Sequence, residues 1–482
     1  MRLAALLGGP LLGWLVGWLL PADFVSSSGE LVTLSDATRA AAALGVWMAI
    51  WWLTEAVNIS VTALLPVLMI PLWGAGTLAE ACAPYAHPLI FLFLGGFLLA
   101  LSMQRWGLHR RFALRVLSVV GSRPTRVIAG FMAVTAALSM WVSNTATVVM
   151  MLPIALSVLT LVGRKLDADG DGEFEGEQAN LPVALLLGVA YAGSIGGIGT
   201  LIGSPPNLIA ATFLSEELGV PMDFVSWMKV GLPLVVLFLP LCWWLLTRRL
   251  LPVGAAPVEG IADLLRHERE SLGPVSRGEW VTLGVFCAAA ALWVSRPYLG
   301  VPGLSDAGIA MGAALVLFVS PVDLRAGRFV LEWETARGVP WGTLLLFGGG
   351  LSLAGALSAT GVTELIGSFT AGLSGLPGWL VVGVVAALVI FLTELTSNTA
   401  TTATLVPVLA GLAGGLGLAP AELVIPAALA ASCAFMLPVA TPPNAIVYGS
   451  GKVPLQQMIR AGLWLNLIGI VLITLLAALL IR

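Results

Sequence analysis

The sequence predicts an all-α polytopic membrane protein that is built as an inverted-topology repeat. Three observations carry this prediction. Of the 482 residues, 58% are hydrophobic and only 10% are charged, with a mean hydropathy of +0.98. Long apolar segments recur along the chain, and three short motifs occur twice in the same order. A soluble domain carries about 25% charged residues, so a bilayer must surround this apolar surface.

The charge and cysteine content excludes several classes of protein. The net charge is −3 and the lysines are Lys165, Lys229 and Lys452, so we expect no surface that binds nucleic acid. The four cysteines are scattered and lack zinc-site or disulfide spacing. The sequence shows no combination of acid, base and nucleophile residues typical of an active site, so it does not predict an enzyme. We interpret the apolar run near the N-terminus as a retained first helix rather than a signal peptide.

Apolar runs long enough to cross a bilayer, about 17 to 25 residues, recur throughout residues 1–482. The polar connections between them are short, which predicts a single integral membrane unit. The runs lie near 3–20, 38–57, 59–74, 88–104, 124–162, 181–214, 229–248, 280–295, 305–320, 341–359, 379–411, 421–449 and 457–481.

The distribution of Lys and Arg predicts the orientation, since cytoplasmic loops carry an excess of both. With the basic clusters, such as 105–126 and 266–277, in the cytoplasm, the crossings balance only if 124–162 and 379–411 each return to the side they left. Each segment is then either a re-entrant hairpin or a pair of spans. With single crossings elsewhere, about 11 transmembrane helices put the N-terminus in the cytoplasm and the C-terminus outside.

Two of the repeated motifs share one offset in residue number. Phe-Leu-Gly-Gly at 93–96 returns as Phe-Gly-Gly-Gly at 347–350, an offset of 254. Ser-Asn-Thr-Ala-Thr at 143–147 returns at 397–401 with the same offset. The segment before the first Ser-Asn-Thr runs inward and its counterpart runs outward, so the repeats have opposite topology. Transporters of this plan bind their substrate near the membrane midplane, between the repeats.

The third motif, Pro-Pro-Asn, occurs at 205–207 and again at 442–444, which corresponds to an offset of 237. The shorter offset fits one additional loop in the first half, the acidic segment around 167–178. The first predicted half, 1–217, contains a hairpin at 124–162 and a broken helix at 181–214. The second predicted half, 229–482, contains a hairpin at 379–411 and a broken helix at 421–449.

The repeated motifs suit an anion together with a cation. Helices interrupted by Ser-Asn-Thr or Pro-Pro-Asn offer N–H groups to anions and freed carbonyl oxygens to Na⁺. Asn144 and Asn398 each carry an amide donor and an acceptor, and Thr145 and Thr399 add hydroxyls. The interrupted segments contain no Lys or Arg beyond position 126, so a bound anion needs neutral donors and co-bound cations, as symport requires. The alternative is that these residues only cap and pack membrane helices.

Longer blocks of sequence resemble the divalent anion/sodium symporters, the family that includes the INDY-like dicarboxylate transporters. The similar blocks are Trp-Trp-Leu-Thr-Glu-Ala at 51–56, Trp-Gly-Thr at 341–343 and Ala-Ser-Cys-Ala-Phe-Met-Leu-Pro-Val-Ala-Thr-Pro-Pro-Asn-Ala-Ile-Val at 431–447. The resemblance covers nearly the whole chain. It departs from the family pattern at Asn58, where many relatives carry a nearby Pro.

The resemblance implies an elevator-type transporter, a homodimer in a cell membrane, with the Ser-Asn-Thr motifs at the tips of two re-entrant hairpins. It also implies two or more co-transported Na⁺ ions. The first Na⁺ site would consist of Ser139, Ser143, Asn144 and the backbone near Gly203. The second would consist of Thr393, Ser397, Asn398 and the backbone near Ala440. The substrate would contact Asn144, Thr145, Ser204, Asn398, Thr399, Thr441 and Pro442.

These features predict sodium-coupled symport of a small dianion, a four-carbon dicarboxylate such as succinate, malate or fumarate. Two alternatives stay open on the same scaffold. One is a Na⁺-independent dicarboxylate exchanger, and the other is transport of sulfate or citrate.

Two further acidic features stay open between a functional and a structural interpretation. The segment 167–178 begins like an EF-hand loop, but Gln178 occupies the twelfth position, which favours a solvated acidic insertion. Glu394 lies inside an apolar run, and a carboxylate at membrane depth is a functional candidate. A structural, hydrogen-bonded glutamate is the alternative.

Overall fold

The fold was analysed in a computed structural model, which describes residues 2–25, 31–169, 179–254, 257, 260–369 and 375–481. The acidic segment at 167–178 lies outside the described residues, apart from the helical backbone of 167–169. The interpretation of that segment as a solvated acidic insertion rather than an EF-hand loop therefore stays a prediction.

The first half of the chain is helical apart from one short antiparallel β-hairpin between the first two helices. A 3₁₀ turn precedes α6, and a π turn extends α12 to Leu250. The elements are α1 (Arg2–Leu19), β1 (Asp23–Val25), β2 (Leu31–Thr33), α2 (Asp36–Thr54), α3 (Ile59–Thr62), α4 (Leu65–Leu72), α5 (Leu78–Cys82), α6 (Pro88–Arg105), α7 (Leu108–Leu117), α8 (Pro124–Ser139), α9 (Asn144–Asp169), α10 (Asn180–Gly197), α11 (Pro205–Glu217) and α12 (Phe224–Trp244).

The second half has a similar succession of helices, again with one short β-hairpin. Its elements are α13 (Ile261–Ser271), α14 (Arg277–Leu299), α15 (Asp306–Val319), β3 (Pro321–Asp323), β4 (Arg328–Phe329), α16 (Trp333–Ala336), α17 (Trp341–Ala359), α18 (Val362–Ser368), α19 (Gly378–Thr393), α20 (Asn398–Leu416), α21 (Pro420–Ala431), α22 (Pro442–Tyr448) and α23 (Leu455–Leu480).

Among the described residues, 8 helices are long and apolar enough to cross a membrane. The predicted class, an all-α polytopic membrane protein, is confirmed. The spanning candidates are Leu78–Arg105, Asn144–Gly163, Asn180–Gly197, Phe224–Leu250, Arg277–Leu299, Trp341–Ala359, Asn398–Leu416 and Leu455–Leu480.

The apolar run at 59–74 differs from the prediction of one spanning segment. It forms two short helices, α3 and α4, separated by a turn at 63–64. Pro66 lies in the first turn of α4, where its missing N–H leaves no hydrogen bond unmade. The proline therefore favours the start of a new helix over the continuation of α3.

The repeated Phe-Gly motif marks the contact between the two halves. The rings of Phe93 in α6 and Phe347 in α17, which are counterparts in the repeat, meet edge to face with centroids 5.2 Å apart. Two residues that are equivalent in the sequence repeat therefore contact each other in the structure. A Cβ on Gly95 would lie 2.5 Å from the backbone of Ala310, and a Cβ on its counterpart Gly349 would collide with another backbone segment. The repeated glycines therefore permit close packing of both helices.

Helix α10 lies at the centre of the molecule and is buried from Leu181 to Gly197. It packs closely on α8, since a Cβ on Gly196 would collide with the backbone of Ala136. Because α10 is buried on every face, its end at Gly197 fixes where the following non-helical segment begins.

Candidate substrate and cation site

Four helices begin at residues of the repeated motifs. Helix α9 begins at Asn144 and α20 at Asn398, each directly after the motif serine. Helices α11 and α22 begin at Pro205 and Pro442, after segments in which the chain has left the helical conformation. The first N–H groups of a helix have no partner within it and carry a partial positive charge. The N-termini of α9 and α20 can therefore donate hydrogen bonds to an anion, whereas α11 and α22 each begin with two prolines, which have no N–H.

In the first half, four oxygen atoms gather around the Asn144 side chain. Ser139 Oγ lies 2.6 Å from Asn144 Oδ1 and 2.7 Å from the carbonyl oxygen of Gly193. The carbonyl oxygens of Gly193 and Gly203 are each 3.2 Å from the same amide atom of Asn144. One hydroxyl proton cannot satisfy all of these oxygens. They are satisfied either by an amide turned with Nδ2 inward or by a cation among them, because hard cations take oxygen ligands.

Glycines create the space for this first oxygen cluster. A Cβ on Gly197 would collide with the Asn144 amide, and a Cβ on Gly203 would lie 2.5 Å from the carbonyl oxygen of Gly197. The end of α10 and the segment after it can therefore approach the hairpin tip only because both positions lack a side chain.

A matching oxygen cluster forms in the second half. Thr393 Oγ1 donates a hydrogen bond to Asn398 Oδ1 at 2.7 Å and lies 3.3 Å from the carbonyl oxygen of Ala431. Thr393 and Asn398 are the counterparts of Ser139 and Asn144 at the offset of 254. Both hydroxyl residues are fully buried. The repeat therefore places a hydroxyl oxygen and an amide oxygen together twice, with the carbonyl oxygens of Gly193 and Gly203 in the first cluster and that of Ala431 in the second.

A continuous line of contacts joins the two clusters. Gly203, in the first cluster, is followed by Ser204, whose Oγ lies 3.2 Å from Ser432 Oγ. Ser432 follows Ala431, whose carbonyl oxygen accepts from Thr393 in the second cluster. The oxygen clusters at the two Ser-Asn-Thr motifs, which are far apart in sequence, are thus connected through Ser204 and Ser432.

The remaining predicted residues divide by exposure. Thr441 is buried, and its Oγ1 accepts the N–H of Asn444 at 3.3 Å as the cap of α22. Ser143 Oγ accepts the N–H of Ala146 at 3.3 Å. The predicted residues that face open space are Ser143, Thr145 and Pro442. The half-buried ones are Asn144, Ser397, Asn398 and Thr399. The buried ones are Ser139, Gly203, Ser204, Thr393, Ala440 and Thr441.

Glu394 holds the non-helical segment that follows α21. Its carboxylate accepts the N–H groups of Phe435 at 2.7 Å, Met436 at 2.9 Å and Leu437 at 3.0 Å, and the amide of Asn466 in α23 at 2.8 Å. These donors occupy both carboxylate oxygens, which act only as acceptors. The equivalent position in the first half is Met140, so this carboxylate has no counterpart there.

The tip of the first hairpin is anchored by aromatic rings. Trp141, two residues before Ser143, stacks on Phe224 and Trp293 and meets Phe286 edge to face at 5.1 Å. Asp306 fixes two of these rings, because it accepts the N–H of Phe224 and the indole N–H of Trp293, both at 3.0 Å. The counterpart of Trp141 is Leu395, which is 73% exposed.

Several residues of the site were missed by the sequence prediction. No sequence pattern predicts the roles of the Gly193 carbonyl, the Ser432 hydroxyl and the Asn466 amide, since those roles depend on tertiary neighbours. Asn207 and Asn444 carried a signal in the repeated Pro-Pro-Asn motif, but only the motif, and not these side chains, entered the predicted site. Within the described part of the chain, no group of three or more His, Cys, Asp or Glu side chains could hold a metal ion. The side-chain and main-chain oxygens of the two clusters belong to hydroxyl, amide and carbonyl groups, which are neutral.

Residues 19–481 match the family described as the sodium:sulfate symporter transmembrane region. The chain belongs to this sodium:sulfate symporter family. The resemblance to divalent anion/sodium symporters is thereby confirmed, and so is the prediction of a multi-pass membrane transporter rather than an enzyme.

Relatives within the sodium:sulfate symporter family match along most of their length. The sodium-dependent dicarboxylate transporter SdcS of Staphylococcus saprophyticus is 39% identical over 480 residues, which cover 98% of this chain and 90% of the relative. The protein of the same name from Staphylococcus aureus strain USA300 is 39% identical over 439 residues, covering 90% of this chain and 84% of the relative.

Two solved transporter structures share the fold of this sodium:sulfate symporter family member. The YdaH transporter of Alcanivorax borkumensis has a TM-score of 0.60 at 16% identity, covering 98% of this chain and 97% of the other. MtrF of Neisseria gonorrhoeae has a TM-score of 0.58 at 12% identity, covering 98% of this chain and 94% of the other. At these identities the similarity concerns the fold alone.

Proposed function

We propose that this protein is a sodium-coupled symporter of four-carbon dicarboxylates such as succinate, malate or fumarate. The observation that carries the proposal is the pair of matched oxygen clusters around Asn144 and Asn398, each at the N-terminus of a helix. The family description names sodium, and the SdcS relatives are named sodium-dependent dicarboxylate transporters.

We assign the two clusters to Na⁺. The first ion is held by Ser139, Ser143, Asn144 and the carbonyl of Gly203, with the carbonyl of Gly193 added from the geometry. The second ion is held by Thr393, Ser397, Asn398 and the carbonyl of Ala440. Neutral oxygens of hydroxyl, amide and carbonyl groups suit a hard monovalent cation.

The dianion is bound between the clusters by the two motifs. Its carboxylates accept hydrogen bonds from the N-termini of α9 and α20 and from polar side chains of both halves. Because no Lys or Arg lies in the interrupted segments beyond position 126, bound Na⁺ supplies the positive charge, and anion affinity depends on sodium. The substrate contacts that we propose are Asn144, Thr145, Ser204, Asn398, Thr399, Thr441 and Pro442.

We place the helical hairpins α8–α9 and α19–α20 as re-entrant segments. Helices α9 and α20 are long enough to cross a membrane, but α8 and α19 each contain only 16 residues, about 24 Å of helix, which is less than the hydrocarbon core of a bilayer, about 30 Å. The short first arm of each hairpin supports this placement. In this arrangement the N-terminus is cytoplasmic, the C-terminus is outside, and the halves 1–217 and 229–482 form the inverted repeat. We further propose that the protein is a homodimer and that transport proceeds by an elevator movement.

Uptake into proteoliposomes tests the proposed function. With radiolabelled succinate outside, uptake should require an inward Na⁺ gradient and should stop when K⁺ replaces Na⁺. Uptake that does not depend on Na⁺ but requires dicarboxylate inside the liposomes would instead establish an exchanger. The family description favours sulfate as a second candidate substrate. Competition by sulfate or citrate, but not by succinate, malate or fumarate, would replace the dicarboxylate proposal.

We predict that Asn144→Ala and Asn398→Ala each abolish this uptake. Either change removes both the amide oxygen of a cation site and the amide donor beside the anion. Asn180→Ala is the matched control, because Asn180 lies outside the repeated motifs and donates to the Pro252 carbonyl instead. Size-exclusion chromatography in detergent should find all three variants folded. Normal sodium-dependent uptake by both motif variants would refute the site.

A further inference from the structure

Asn207, the asparagine of the first Pro-Pro-Asn motif, clamps the segment that follows α10. The side chain is fully buried, and its Nδ2 donates to the carbonyl oxygens of Gly197 at 2.9 Å and Thr200 at 2.7 Å. Since α10 ends at Gly197, these carbonyls lack the helical N–H partners of a continuous helix. The carbonyl of Thr200 also accepts the N–H of Gly203 at 3.4 Å. The amide thus fixes the short turn that ends at Gly203.

Asn444 makes the same contacts in the second half. It is also fully buried, and its Nδ2 lies 3.2 Å from the carbonyl oxygen of Ala434 and 3.0 Å from that of Leu437. The carbonyl of Leu437 accepts the N–H of Ala440 at 3.2 Å. Asn444 and its two carbonyl acceptors each lie 237 residues after the corresponding residue of the first half. The two halves therefore provide two independent observations of one arrangement.

The clamped turns end at the two residues whose carbonyls we assign to Na⁺, Gly203 and Ala440. Building on the proposed function, we propose that Asn207 and Asn444 are the positioning residues of the two sodium sites. Each amide fixes the direction of one carbonyl ligand without touching the ion. Their Oδ1 atoms have no hydrogen-bond donor among the described residues, so both side chains act through Nδ2.

This role makes a prediction that a merely structural role does not. Freed carbonyls at membrane depth need partners, so loss of the clamp could simply reduce the amount of folded protein. If the amide positions a ligand, the protein that does fold should instead require more Na⁺. Substitution by Leu keeps a similar volume and adds no charge that could itself attract a cation.

The test measures sodium binding in the purified full-length protein. The melting temperature in detergent is recorded against NaCl concentration, with choline chloride keeping the ionic strength constant, because a bound ion stabilises the folded state. In Asn207→Leu and Asn444→Leu, the NaCl concentration at half-maximal stabilisation should rise about tenfold, the scale of one to two lost hydrogen bonds. Asn180→Leu loses the hydrogen bond from the Asn180 amide to the Pro252 carbonyl, away from the site, and should leave the half-maximal NaCl concentration unchanged.

A second pair of variants covers the case in which the Leu variants do not fold. Asn207→Ser and Asn444→Ser keep one donor in a smaller side chain and should raise the half-maximal NaCl concentration by about threefold. If NaCl stabilises the wild type and all folded variants with the same midpoint, the positioning role is wrong. If NaCl does not stabilise the wild type and uptake is sodium-independent, the proposed function itself fails.

The transport assay gives a second readout. At saturating Na⁺, the KM for succinate of the variants should stay within about twofold of the wild-type value, since neither amide touches the substrate in our assignment. A raised KM for succinate with an unchanged sodium dependence would place these residues in the anion site and overturn the positioning role.

Discussion

At the scale of the residue, one carboxylate distinguishes the two otherwise matched oxygen clusters. Glu394 directly follows Thr393 and binds three successive N–H groups of the segment that leads to Ala440. Its counterpart, Met140, instead offers its carbonyl oxygen to the hydroxyl of Thr200 at 2.5 Å. In both halves this position therefore holds the non-helical segment, but only the second half does so with a carboxylate.

We predict that Glu394→Gln lowers the melting temperature of the purified protein by several degrees. The amide of Gln presents N–H groups where the carboxylate accepts them, and buried donors left unpaired cost about 1–3 kcal/mol each. Glu270→Gln, at an exposed i,i+4 ion pair, is the matched control and should change little. Equal melting temperatures for Glu394→Gln and the wild type would contradict the structural role of Glu394.

The site was predictable from sequence where identical side chains recur at one offset. Asn144 and Asn398 could be identified in this way, whereas Ser139 and Thr393 entered the predicted site through the family resemblance, and the structure brings each of them to its asparagine. The carbonyl of Gly193 and the Ser204–Ser432 contact could not, because a main-chain oxygen leaves no trace in the sequence and the serine pair has no counterpart in the repeat.

At the scale of the element, the two hairpin tips differ in how they are held. Trp141 packs against rings of α12 and α14 at the first tip, whereas Leu395, at the equivalent position of the second tip, is exposed. The matched sequence offset predicts equal tips, because a repeat in sequence does not record which neighbours each copy meets. Likewise, apolar length alone predicted one span at 59–74, where Pro66 starts a second helix.

We predict that Trp141→Ala loosens the first hairpin tip and Trp141→Phe does not. Truncating a packed aromatic side chain costs about 3–5 kcal/mol, while Phe keeps a ring for the stack with Phe224 and Trp293. Hydrogen exchange of the peptide that covers the turn at 140–143 should accelerate only in the Ala variant. Leu395→Ala is the comparison at the second tip, and exchange there should stay as in the wild type. Equal protection of the first tip in both Trp141 variants would contradict the anchoring role.

At the scale of the whole molecule, the fold class could be predicted from sequence because a membrane-spanning chain with an internal repeat can adopt few architectures. Apolar length identifies the helices, and the offset of 254 that two motifs share identifies the halves. The close contact of Phe93 with Phe347 is consistent with that repeat, because equivalent residues meet at its centre. The relative placement of the halves, and hence the contact between Ser204 and Ser432, depends on packing that no local pattern encodes.

The number of cation clusters sets the electrical behaviour of the whole transporter. Two Na⁺ balance the charge of one dianion, so we predict electroneutral uptake. A tenfold inward Na⁺ gradient should then sustain about hundredfold accumulation of succinate, and an inside-negative potential of about 100 mV, imposed with K⁺ and valinomycin, should leave that ratio unchanged. A third ion would carry one net charge, worth about 2.3 kcal/mol at 100 mV, and would raise the accumulation about fiftyfold more under that potential. Accumulation in proteoliposomes at a series of potentials therefore counts the ions, and a ratio that rises with potential would require a cation site beyond the two clusters at Asn144 and Asn398.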